Sequence, residues 1–228
     1  MITVETRVSL FYTVALNGDL ACLPRLFTFL SRARAAVQGI PLLVDMGCAC
    51  APSAWICQAT NGRGMLVAMD SMGYDAFHVG ARDPLYRAPQ IIEGLQRLVV
   101  TRFAAGPWSA RVSKRGVQIG FANGAQMARA AAELSDVDLL IGLRYTDQTV
   151  IQPEWRAPQR WLLFDCGDAQ TQLGRLDLTL LPEPPYVRAE SHVALRLPED
   201  TPPDPTISGV IEFVQSEARY AEQKRDRA

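Results

Sequence analysis

Long apolar runs, an excess of charge of either sign, and histidine are all scarce in these 228 residues. No stretch of about 18 consecutive apolar residues occurs, so hydropathy gives no transmembrane helix. Lysine and arginine number 23 against 24 acidic residues, and no global field would draw the chain to nucleic acid or to an anionic membrane surface. The first residues, MITVETRVSLFYTV, lack a basic segment followed by an apolar block and a small-residue cleavage site, so a cytoplasmic protein is expected. Histidine occurs twice, at His78 and His192, leaving no evident base to activate a nucleophilic thiol. No internal repeat is present, and no glycine-rich stretch fits a P-loop or a dinucleotide fingerprint: NGRG at 61–64 opens a helix but follows no suitable strand.

Cysteine is present in an odd number, five. Three of them, Cys48, Cys50 and Cys57, cluster in CACAPSAWIC. That pattern does not resemble a secreted disulfide framework, and reduced thiols or thiols on a metal are expected.

RVSLFYTVA (7–15) is rich in β-branched and aromatic residues, as a buried first strand should be. From Leu23 to Val37 apolar residues return at helical spacing with Arg25, Arg32 and Arg34 between them, which predicts an amphipathic helix ended by Gly39. A strand in PLLVDMG, a helix over 64–72, a strand over 74–80, a helix over 89–100, extended LVVTRF, a strand in RGVQIGFA, a helix over 124–134 and a strand over 138–143 follow. This alternation points to an α/β sheet whose strand C-termini form the working face. Beyond residue 160, WLLFDCG, GRLDLTLLP and SHVALRLP read as a closing antiparallel section. PEDTPPDP marks a linker at 198–206, and 207–228 reads as a C-terminal helix docking through Ile207, Val210, Ile211 and Val214 and fraying beyond Tyr220.

Four blocks in order, YTVALNGDLACLPRL, LLVDMGCA, LVAMDSMGYDAFHVGARD and FDCGDAQTQLGRLDLTL, resemble the metallophosphoesterase domain of the 5′-nucleotidase family. There the first strand ends in T-N-D-x-H-G, the second in D-A-G-D, a G-Y-D-A strand leads to G-N-H-E, and a G-x-x-L-G-R-L-D-L hairpin comes late. Met72 to Ala76 and Gly174 to Leu178 are the most specific matches. The resemblance covers residues 8 to about 180 and implies an α/β/β/α sandwich of two mixed sheets flanked by helices, occupying 1–197. It also implies that the C-terminal helix stands where that family's chain would continue into a second domain, so that it covers the sheet or mediates a homodimer.

The departures fall on the positions that hold metal in that family. Ala15 and Asn17 replace the Asp and His of the first loop, Cys48 replaces the bridging Asp, and Ala81-Arg82 replaces Asn-His. The later strand ends at Arg144-Tyr145, with Tyr145 where a histidine is usual, and the stretch after it carries no G-H-x-H. Two neighbouring divalent ions need several anionic or strongly donating ligands. Alanine offers none, and a guanidinium at Arg82 would repel a cation by several kcal/mol at an effective dielectric of ~20.

No cofactor is therefore expected, and the chain reads as an inactive scaffold that binds a small anion or a protein partner. Arg82 and Arg144 are the candidate anion-binding residues, unless they only neutralise Asp83, Asp147 or Asp168. Alternatively the chain is a hydrolase of phosphorylated or nucleotide-like substrates with a rebuilt site that uses Cys48, Cys50 or Asp83 in an altered metal set, and Cys22, Cys48, Cys50 and Cys57 together are candidates to hold zinc or an iron-sulfur cluster. Asp19 and Asp168 as a metal-free acid and base would stabilise a phosphoryl transition state poorly. His78 reads as a satisfied strand histidine and His192 as a surface residue of an edge strand. Trp55, Trp108, Trp155 and Trp161 read as packing residues or as a stacking surface.

Overall fold

The computed structural model describes residues 2–79, 109–145, 153–156, 161–166, 172–225 and 227. The predicted helix over 89–100 and the extended 98–103 lie outside them. The first sheet, A, is built on β1 (Thr6–Val14), which pairs in parallel with β2 (Ile40–Asp45) on one side. On its other side it pairs antiparallel with β9 (Gln172–Leu180). β3 (Ala76–Phe77) and β10 (Val187–Leu195) are the edges, giving the order β10-β9-β1-β2-β3. The second sheet, B, runs β4-β5-β6-β8-β7 from β4 (Ser109–Lys114), β5 (Val117–Asn123), β6 (Leu139–Tyr145), β7 (Pro153–Arg156) and β8 (Trp161–Cys166). Within it β5, β6 and β8 are parallel. The segment WLLFDCG is thus a parallel strand of sheet B, whereas GRLDLTLLP and SHVALRLP form the expected antiparallel pair.

Both faces of β1 are buried from Val8 onward. Val8, Leu10, Tyr12 and Val14 alternate into a core shared with Ile119, Phe121, Ile141 and Leu143 of sheet B. Phe11 faces the opposite way, into a core with the helices α1 (Leu23–Ala35), α2 (Trp55–Thr60), α3 (Arg63–Ser71) and α5 (Pro205–Arg225). A smaller cluster under α4 (Met127–Glu133) covers the outer face of sheet B. The result is four layers, helix on sheet on sheet on helix. Both sheets run in the same sense. The amide of Ile2, ahead of β1, donates to Asp138, ahead of β6, at 2.8 Å, and Lys114 at the base of the β4–β5 hairpin binds both oxygens of Asp75, just before β3, at 2.7 Å. With the strand starts tied together, the C-terminal ends of both parallel sets open on one rim.

The predicted helix over 64–72 is preceded by a second, α2, because Asn61 and Gly62 adopt left-handed angles that end one helix and begin the next. The C-terminal helix is continuous to Arg225, beyond the fraying expected at Tyr220, and Trp55 donates to its Glu222 at 2.7 Å. It docks through Ile207, Ile211, Val214 and Ala218, with Val210 half-buried. The proline-rich stretch before it is fastened by Arg25, whose guanidinium donates to the carbonyls of Thr201, Pro198 and Glu199 at 3.1, 2.7 and 2.5 Å. Asp204 then caps α5 by accepting from the Ile207 amide at 3.0 Å. No helix among the described residues is long and apolar enough to cross a membrane.

Candidate functional site

The rim of sheet A is a pair of loops closed on one another. Beyond the ends of β1 and β2 the amides of Ala15, Asn17 and Gly18 donate to the carbonyls of Gly47, Cys48 and Ala49 at 3.0, 2.9 and 2.8 Å. This zipper needs unusual backbone angles. Ala15, Asn17 and Cys48 have φ of 52°, 54° and 55°, in the left-handed region that side chains with a Cβ avoid. Such angles cost of order ~1 kcal/mol each, persist only where the surroundings impose them, and gather at functional sites.

Beneath the zipper lies a buried polar relay. Asp45, fully buried, accepts from the Thr13 hydroxyl at 2.8 Å and from the Gly47 amide at 3.0 Å. The Tyr74 hydroxyl reaches Thr13 Oγ1 at 3.0 Å, and burial, reinforced by Asp45, pushes the Tyr74 phenol well above its usual range. His78 follows β3; its Nδ1 lies 3.0 Å from the Met46 carbonyl and its amide donates to Asp45 O at 2.9 Å. A carbonyl only accepts, so Nδ1 carries the proton and Nε2 the lone pair. Burial lowers the imidazole to about 4, keeping it neutral at ordinary pH.

Around this floor the tips offer little to a cation. Ala15 is a buried methyl, Asn17 is exposed, and Cys48 is a half-buried thiol outside any disulfide. Cys50 and Cys57 form a disulfide with Cα atoms 5.7 Å apart, which corrects the expectation of reduced or metal-bound thiols for these two: oxidised, they have no thiolate to give. The pairing arises because the chain turns at 51–54 and enters α2, bringing Cys57 back over Cys50 in the helix-side core. Cys22 is also outside any disulfide, but burial and then Asp19 push its thiol up to about 12, and it donates to the Asp19 carbonyl at 3.2 Å. Asp19 itself accepts from the Ala21 and Cys22 amides at 3.0 and 3.3 Å and serves as a cap. Among the described residues no group of three or more His, Cys, Asp or Glu side chains could hold a metal ion.

On sheet B the backbone of Arg144 and Tyr145 ends β6, paired with Asp165 and Cys166, which puts both positions at the rim. Ala81, Arg82, Asp83, Trp108, Asp147 and Asp168 lie outside the described residues. Of the other predicted residues, His192 sits on the edge strand β10 yet reaches Tyr12 Oη at 2.9 Å, and the ring of Tyr12 crosses directly over Gly174. Trp55 donates its indole N–H to Glu222 and is 39% exposed, so it is not one of the buried packing residues. The Thr13–Asp45–Tyr74 relay and the Arg25 clamp were not anticipated; an aspartate closing the apolar run LLVD was the visible sign of the first.

Comparison of the whole structure with solved ones decides the fold. A calcineurin-like phosphoesterase, YfkN from Bacillus subtilis, superposes with a TM-score of 0.65 over 96% of this chain and 100% of that one, at 11% identity. The fold is that of the calcineurin-like phosphoesterases. A 5′-nucleotidase precursor from Thermus thermophilus matches with a TM-score of 0.65 at 14% identity, covering 94% of this chain and 59% of that one. A phosphatase of Mycoplasma pneumoniae matches at 0.53 and 10% identity, over 90% and 98%. No protein-family model matches the sequence, and no curated protein does. The α/β/β/α sandwich of two mixed sheets implied by the sequence resemblance is therefore present. At these identities the likeness is one of calcineurin-like architecture.

Proposed function

We propose that this chain is a non-catalytic member of the calcineurin-like phosphoesterase group that uses its rim to bind a small anion or a protein partner. One observation carries the reading: the rim keeps costly left-handed turns at Ala15, Asn17 and Cys48, while the side chains aimed from them are a methyl, an amide and a thiol. A pair of divalent ions would lack the anionic donors that offset their repulsion. The disulfide removes two further thiols from the donor set. Arg82 and Arg144 are the residues assigned to an anion, by charge and by bidentate geometry. No resident cofactor is proposed.

The second reading, a hydrolase of phosphorylated or nucleotide-like substrates with a rebuilt metal site, draws on His78. Its Nδ1–H on the Met46 carbonyl is the orientation in which an imidazole presents Nε2 to a metal. Cys48 would be its thiolate partner, since Cys22 is held protonated. Elemental analysis of purified protein, with and without Cys48→Ala, separates the two. Absence of stoichiometric zinc, iron or manganese, together with no turnover of generic phosphoesters in added manganese, supports the scaffold. Metal that disappears with Cys48→Ala overturns it.

A homodimer through α5 would have to use its outer face, where Phe213 and Tyr220 are 57% and 69% exposed, because the inner face is occupied by the chain's own helices. A cytoplasmic location fits poorly with a formed Cys50–Cys57 bond, since structural disulfides belong to oxidising compartments. Alkylation of those two cysteines in cells reads whether the bond is formed there.

A further inference from the structure

The end of sheet A remote from the rim carries a second polar feature. Where β1 begins, α1 turns into β2 and β9 meets β10, a trough of about 440 Å³ opens between Arg7, Gln38, Thr179 and Arg188. A second hollow of about 440 Å³ shares Arg7, Gln38 and Thr179 with it and continues to Arg115, in the turn between β4 and β5.

Two of the three carboxylates here are already committed. Asp177 accepts from the hydroxyls of Ser9 and Ser191 at 2.7 Å each and pairs with Arg175 at 3.0 Å. Glu190 accepts from Thr179 Oγ1 at 2.7 Å and from Arg188 Nε at 2.8 Å, and these bonds, Thr179 first, hold its carboxyl below the usual range. Glu5, exposed and lining both hollows, comes only to 3.9 Å from Arg188. The guanidiniums are the opposite. Arg7 has one long contact, 3.4 Å to Gln38, and Arg188 spends Nε alone on Glu190. Arg115 makes no side-chain hydrogen bond or ion pair among the described residues. An arginine stays charged at any physiological pH and presents a planar fork of donors that matches two oxygens of one anion.

We propose that this trough binds a small oxyanion, a phosphate or a carboxylate, with Arg7 at its centre, Arg188 on one side and Arg115 on the other. The site is separate from the rim and does not depend on how the rim is used.

The test is titration of the full-length, isotopically labelled chain with inorganic phosphate and, separately, with succinate, at fixed ionic strength, following amide shifts. Saturable shifts centred on Gln38, Gly39 and Thr179 are expected with one probe or both, and which probe acts assigns the ligand chemistry. Arg7→Gln should weaken the response about tenfold or more, as losing charge-assisted bonds does. Arg115→Gln, in an exposed turn, gives the same readout if Arg7→Gln perturbs β1. Arg63→Gln, which removes the surface pair with Glu217, should change nothing. No saturable shift with either probe, or equal binding in both arginine variants, overturns the proposal. Shifts confined to Asn17 and Cys48 also overturn it and would bear on the rim instead.

Discussion

Removing the Cys50–Cys57 bond tests both the stability of the rim loop and its link to the site. Seven positions separate the two cysteines, and closing so short a loop restricts the unfolded chain by ~2.5 kcal/mol in the chain-entropy account. Reduction of the wild-type protein isolates that contribution, because both sulfurs stay in the core. The double variant Cys50→Ala/Cys57→Ala also empties two sites that are 2% and 0% exposed, and by analogy with a buried methylene each sulfur adds roughly 1 kcal/mol. Urea unfolding should therefore show the reduced wild type below the oxidised one by ~2.5 kcal/mol and the variant lower again, with the variant indifferent to reductant. Hydrogen exchange reads the local consequence. A Cβ built on Gly18 would lie 3.0 Å from Cys57 Sγ, so the bond braces the loop whose amides, Asn17 and Gly18, are protected by the Cys48 and Ala49 carbonyls. Those two amides should exchange faster on reduction. Equal midpoints for oxidised and reduced protein, or alkylation of both cysteines in the unreduced, denatured chain, would refute the pairing and the reasoning built on it.

Other consequences are independent of that bond. His78 has a folded value of about 4 against 6.5 for the free group, so below pH 6.5 the unfolded chain takes up a proton that the folded chain refuses. Stability is then fully present above pH 6.5 and falls towards pH 4 by ~3 kcal/mol in all; His78→Asn should flatten the slope between pH 7 and 5 in denaturation curves, and an unchanged slope contradicts it. Gly174→Ala places a methyl in the ring of Tyr12, an overpacking expected to cost ~1–3 kcal/mol and to be relieved in the double variant with Tyr12→Leu; absence of relief shows that the crossing is not the cause. Arg25→Met strips three carbonyls of their donor and should cost ~1.5–3 kcal/mol, with proteolysis appearing first in 198–204; uniform resistance there would mean the clamp is dispensable.

Much of the architecture was legible because it depends on periodicity. RVSLFYTVA reads as a strand buried on both faces, and it lies between two cores. Leu23, Leu26 and Leu30 read as one helical face and are buried together. The position of WLLFDCG within sheet B was not legible, because a short apolar run says nothing about the strand it will pair with. The disulfide was missed for a related reason: whether two cysteines seven positions apart meet is decided by where α2 starts, and its N-cap is Ala54, which makes no side-chain cap. Arg25 looked like an ordinary polar-face residue of α1, and its acceptors are carbonyls more than 170 positions away.

The rim shows in physical terms how a backbone path and the side chains it carries can be set separately. Gly47, Gly18 and the zipped amides set the backbone path, and the Thr13–Asp45–Tyr74 relay holds it from beneath. A substitution at Ala15, Asn17 or Cys48 can therefore exchange one chemistry for another while the turns survive. At Ala15 a glycine would adopt the left-handed angle without strain. These angles are imposed by the zipped loop pair as a whole. Binding at the rim should accordingly respond to the residues on the tips, and stability to the relay below them.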